Sequence, residues 1–187
     1  MRKRWGWMVA AGLAFLANLP SLQADTYSFS LIPPSGNVAG PAGSTVGWGY
    51  SLDNESVSDW LVTSDLQAGT FLEGAPNSLF DFPDLGPGQS VTVPFDPVAS
   101  TGLYELTWDG SAVVGFTNAG TFQLDAEWWN GDPLNGGTYI ADAPATDVDY
   151  SAVVTATSAV PEPSSLALCL VVLGGLVVSL RERNQIR

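Results

Sequence analysis

From residue 26 onward the chain alternates between apolar and polar side chains, in short runs broken by glycine and proline. In "TYSFSLI" (26–32), Tyr27, Phe29 and Leu31 face one way and threonine and serines the other. "STVGWGYSL" (44–52) aligns Val46, Trp48, Tyr50 and Leu52, and "SVTVPF" (90–95) aligns Val91, Val93 and Phe95, with Pro94 marking a strand end or edge. "GLYELTWDG" (102–110) groups Tyr104, Leu106 and Trp108 and sets Leu103 on the opposite side. "TFQLDAEWW" (121–129) separates Phe122, Leu124, Ala126 and Trp128 from Gln123, Asp125, Glu127 and Trp129, and "TDVDYSAVVTA" (146–156) turns Val148, Tyr150, Ala152 and Val154 inward. A period of two puts successive side chains on opposite faces of an extended strand. No stretch keeps the 3.6-residue period of an amphipathic helix. About seven short strands at this spacing predict an all-β fold, an antiparallel β-sandwich of immunoglobulin-like or jelly-roll type.

The charges are segregated. All six basic residues lie at the ends, Arg2, Lys3 and Arg4 at one and Arg181, Arg183 and Arg187 at the other. Nothing from Trp5 to Leu180 is Lys, Arg or His, whereas residues 25–158 hold seventeen of the nineteen acids. Such a segment has no internal salt bridge, repels itself, and disfavours nucleic acid and anionic lipid. Its content of Trp, Phe, Tyr, Val and Leu predicts a folded domain rather than a disordered acidic tail. The single cysteine, Cys169, precludes an intrachain disulfide.

Both ends have the layout of transport devices. Residues 1–24 join a basic start to an apolar run over 5–19, then a Pro20-Ser21 break before Ala24, as in a secretory signal peptide. Export of that kind implies the Sec translocon and signal peptidase as partners. At the other end, Pro161 and Pro163 hold the backbone extended. Ser164 or Ser165 can then cap a helix over 166–180 whose every face is apolar. Fifteen residues span about 23 Å, so crossing a membrane also needs the capping residues and the stem of Arg181. Arg181 and Arg183 would stop transfer on the cytoplasmic side.

The run Val160-Pro161-Glu162-Pro163, a short apolar helix containing Gly174-Gly175, and terminal Arg181-Glu182-Arg183 together resemble a PEP-CTERM sorting signal over residues 159–187. The resemblance implies that Pro161, Glu162 and Pro163 are read by an exosortase and that helix 166–180 is a transient inner-membrane anchor. It also implies a destination at the cell surface or in an extracellular matrix, with an association with exopolysaccharide or biofilm. Domain organisation follows: signal peptide 1–24, acidic sandwich 25–158, sorting signal 159–187.

Catalytic options are few. Without His, neither a Ser-His-Asp nor a Cys-His arrangement can be built. Without Lys in the domain, Schiff-base and P-loop chemistry are excluded. We therefore expect a non-enzymatic protein with no catalytic residues and no obligatory cofactor. Asp125 and Glu127, about 7 Å apart along one strand face, are the remaining candidates for carboxylate-based glycoside hydrolysis. The same two acids with Trp129 form a candidate glycan contact, because an exposed indole stacks on sugars while carboxylates bind their hydroxyls. "NGDPLNGG" (130–137) reads as a turn-rich loop in which Asn130, Asp132 and Asn135 are candidate calcium ligands.

Overall fold

The computed structural model describes residues 25–157, and these contain no α-helix. The expected signal peptide 1–24, the expected sorting motif Pro161-Glu162-Pro163, the expected span 166–180 and the expected stop-transfer residues Arg181 and Arg183 all lie outside the described residues. Eleven strands form: β1 (Tyr27–Ile32), β2 (Asn37–Pro41), β3 (Thr45–Asn54), β4 (Trp60–Ala68), β5 (Gly74–Ser78), β6 (Asp84–Leu85), β7 (Ser90–Val93), β8 (Tyr104–Trp108), β9 (Thr117–Trp129), β10 (Tyr139–Asp142) and β11 (Thr146–Thr155). They make two sheets. One runs β1-β3-β8-β5, with β7 also beside β3; the other runs β2-β11-β9-β4-β6, with β10 also beside β9.

The expected alternation decides which side chains lie between the sheets. Val46, Trp48, Tyr50 and Leu52 of β3 are buried, as are Phe122, Leu124, Ala126 and Trp128 of β9. Trp48 is fully enclosed at the centre, edge-on to Phe122 (5.3 Å between ring centres) and to Tyr150 of β11 (5.2 Å). Edge-to-face packing of this kind adds about 0.5–1.5 kcal/mol per pair beyond burial itself. Leu103, expected on the far side from Tyr104, is instead buried. It precedes β8, where its backbone N–H bonds the Trp48 carbonyl, so strand alternation does not govern it.

The expectation of a purely antiparallel sandwich needs one correction, since β2 runs parallel to β11, with Asn37 beside Ser151 and Pro41 beside Thr155. The cause is a change of sheet. β1 pairs antiparallel with β3, and the Pro33-Pro34-Ser35-Gly36 turn then carries the chain across to the edge of β11 without reversing it. Gly36 sits at the crossing with φ of 66°, and a side chain there would strike the Asp149 carbonyl. Its own carbonyl accepts from both the Trp48 indole (2.8 Å) and the Ser151 N–H (2.9 Å), tying the switch to both sheets. The alternation also under-counted the strands. β7 and β8 follow one another down the same side of β3, interrupted by the 94–103 excursion.

A candidate glycan-binding face

The outer face of the β9 sheet carries the residues singled out in the sequence. Because Trp128 is buried, Trp129 must point the other way, and it does so together with Asp125 and Glu127. Register then brings in residues that sequence reasoning left unassigned. Trp129 pairs with Trp60 of β4 on one side and with Tyr139 of β10 on the other. Trp60 precedes the inward-facing Leu61 and so faces outward, partly exposed. Three aromatic side chains therefore form one row across three adjacent strands. The "GGTYI" run after the loop was the available signal for Tyr139; the pairing of Trp60 with Trp129 had none, since register is not written locally.

Carboxylates flank the row. The Trp129 indole donates to Glu127 Oε2 (2.9 Å), and the Tyr139 hydroxyl donates to Asp142 Oδ1 (2.9 Å). The Tyr139 ring stands edge-on to Trp129, with ring centres 6.5 Å apart. Its hydroxyl is held above the ordinary phenol range, first by the hydrogen bond to Asp142, then by slight desolvation and by the charges of Asp142 and Glu127. One step along the strands, Val62 pairs with Glu127 on one side and with Asp84 of β6 on the other. Desolvation pushes the Asp84 carboxyl up, and the charge of Asp132 adds to it.

Asp125 has a different environment from Glu127. It lies directly opposite Asp65, and Gln67 donates to both carboxylates, at 3.1 Å to Asp65 and 3.5 Å to Asp125. Like charges facing one another across a ladder are unfavourable, and the amide bridge offsets part of that.

The three calcium candidates are brought into one loop but turned to its own closure. Asp132 caps a short 3-10 turn (Pro133–Asn135), with Oδ1 accepting from Leu134 N (2.8 Å) and Oδ2 from the Asn135 side-chain amide (2.6 Å). Asn130 Oδ1 accepts from Thr138 N (2.9 Å). Among the described residues no group of three or more acidic, cysteine or histidine side chains converges as a metal cage. The loop thus uses the oxygens of Asp132 and Asn130 as turn and cap acceptors, the ordinary role of Asx residues, while Asn135 contributes its amide N–H.

No family model matches the chain, and no significant match was found among curated proteins or solved structures. The geometry of this face and the layout of the termini are what bear on function.

Proposed function

We propose that this chain is a non-enzymatic, exported protein of a cell surface or extracellular matrix whose outer sheet face binds polysaccharide. The observation that carries the proposal is the row Trp60–Trp129–Tyr139 with Glu127 and Asp142 hydrogen-bonded to its members. Aromatic rings bind the apolar faces of sugar rings, and adjacent carboxylates accept from their hydroxyls. The basic, apolar start of the chain and its resemblance at residues 159–187 to a PEP-CTERM signal support export through an exosortase-type route, with an inner-membrane stage before surface delivery. A hydrolase built on Asp125 and Glu127 is less well supported. Glu127 is already tied to the Trp129 indole, and Asp125 faces a second carboxylate rather than a partner across a cleft.

For the fold, we infer an immunoglobulin-like arrangement in preference to a jelly roll. The division of the opening segment between the sheets, β1 in one and β2 in the other, supports it, as do β3, β8 and β5 following β1 on one sheet and β4, β9 and β11 lying side by side on the other. One departure is that β5, paired with β8, comes before β6, paired with β4.

Isothermal titration of the protein against exopolysaccharide fractions tests the functional reading. Saturable binding that Trp129→Ala abolishes is the expected result; no heat with any glycan overturns it. Intact mass of the protein recovered from cells and medium tests the sorting reading. Loss of residues 1–24 and of the tail beyond the Pro-Glu-Pro motif is expected, whereas a mature form that keeps Arg181 and Arg183 contradicts removal of the anchor.

A further inference from the structure

We infer that the glycan taken by this face carries free amino groups, as a polymer of hexosamine units that are not fully acylated; the inference rests on the polysaccharide reading above. Charge complementarity is the argument. Around the Trp60–Trp129–Tyr139 row lie Glu127, Asp142, Asp84 and Asp132, and the chain holds no Lys, Arg or His between residues 5 and 180 to balance them. A uronate or sulfated glycan would bring further negative charge to a face with no cation. A neutral glycan would offer the carboxylates hydroxyl donors only, whose bonds leave the negative charge uncompensated and are weaker than those of a cationic donor. An ammonium group satisfies the carboxylates by charge-assisted hydrogen bonds and is also attracted to indole and phenol faces. The acceptors are available. Among the hydrogen bonds of the described residues, Glu127 uses Oε2 and Asp142 uses Oδ1, which leaves Oε1 and Oδ2 for a ligand.

Position supports the same occupant. β11 leaves the domain at Thr155, beside the start of β9, where Val153 pairs with Thr117. The aromatic row lies at the far end of that thirteen-residue strand, about 40 Å away at the usual rise per residue. A chain tethered through residues 158–187 therefore presents this face at the end remote from its tether. With three rings on neighbouring strands spanning roughly 10 Å, the row fits consecutive sugars of an extended polymer rather than a single headgroup.

The test uses the full chain in detergent micelles, in mildly acidic buffer, titrated with a glucosamine hexamer, its fully N-acetylated counterpart, a hexuronate and hexalysine. The glucosamine hexamer should bind at least about tenfold more tightly than the acetylated one, the size of one charge-assisted hydrogen bond. Trp129→Ala should remove that binding while leaving any weak hexalysine association unchanged. Glu127→Gln, which keeps size and packing, should bring the two hexosamine oligomers towards equal affinity and serves if Trp129→Ala fails to fold. Equal binding of both hexosamine oligomers by the unsubstituted protein, or preference for the hexuronate, overturns the inference and leaves the polysaccharide reading standing. Binding of the amine oligomer that survives Trp129→Ala reports bulk charge attraction and also overturns the inference. No response to any oligosaccharide overturns both.

Discussion

Trp128 and Trp129 are neighbours in the chain and opposites in environment. Trp128 is buried between the sheets, edge-on to the partly buried Tyr27 at 6.2 Å. Trp129, one residue on, lies among carboxylates on an open face and gives its indole N–H to Glu127. The whole of β9 repeats the contrast, with Phe122, Leu124 and Ala126 inside and Gln123, Asp125 and Glu127 outside. The inner set holds the domain together, and the outer set is free to do something else. In a domain with no salt bridge to offer, cohesion falls on the aromatic and aliphatic interior and on a few buried amides.

Substitutions that separate the two faces give the largest effects. Trp128→Ala should cost about 3–5 kcal/mol in urea unfolding, the usual loss for a large buried aromatic. A cost below that of Trp129→Ala would break the contrast. Asn54 comes next. It is buried, its amide donates to the Asp59, Leu85 and Gly86 carbonyls at 2.9–3.0 Å, and its oxygen accepts from Ser56 N. Asn54→Ala strands several backbone groups and should cost about 1–3 kcal/mol. An unchanged unfolding midpoint would mean that water replaces the amide.

Acid and salt act on the outer surface and sharpen the comparison from the other side. Desolvation, reinforced by the hydrogen bond that the protonated Asp59 carboxyl donates to Asp25, raises Asp59, and burial with the charge of Asp132 raises Asp84. These groups bind protons more tightly in the folded chain than in the unfolded one. Stability should therefore fall as pH rises from the ordinary carboxylate range through the raised folded values, and return as pH is lowered through the same window. Self-repulsion among seventeen acids has the same sign, so Tm should be higher in mildly acidic buffer or at high salt than at neutral pH and low salt. A Tm that drops steadily on acidification contradicts this. The smallest effects belong to the outer strand residues. Trp129→Ala should cost less than about 1 kcal/mol, and Asp65→Asn, by removing a like charge opposite Asp125, should stabilise by a few tenths of a kcal/mol. Destabilisation by Asp65→Asn would mean that the Gln67 bridge outweighs the repulsion.

Period-two patterning identified the inward residues of β1, β3, β9 and β11 because burial on one face writes itself directly into the order of side chains. Strands such as β5 (GAPNS) and β6 carry almost no pattern, since they are short edges with little to bury. The parallel β2–β11 pairing was invisible because it depends on where the Gly36 turn delivers the chain rather than on the composition of either strand. The candidate site divides in the same way. Trp129, Asp125 and Glu127 share one strand, and their common face follows from spacing alone. Trp60 and Tyr139 join them only through register, across sixty-nine and ten residues of chain. The loop residues Asn130, Asp132 and Asn135 suit a cation or a tight turn equally well in sequence, and the turn bonds that Asp132 and Asn130 accept and Asn135 donates depend on loop geometry that the sequence does not carry.

The division of labour across β9 is tested most directly by one paired measurement on Trp129→Ala, in which the glucosamine hexamer is titrated into variant and unsubstituted protein and each is melted in the same buffer. The account predicts saturable binding by the unsubstituted protein, none by the variant, and melting temperatures that differ by no more than about 5 °C. A variant that binds as well as the unsubstituted protein, or one that loses its fold along with its binding, would contradict it.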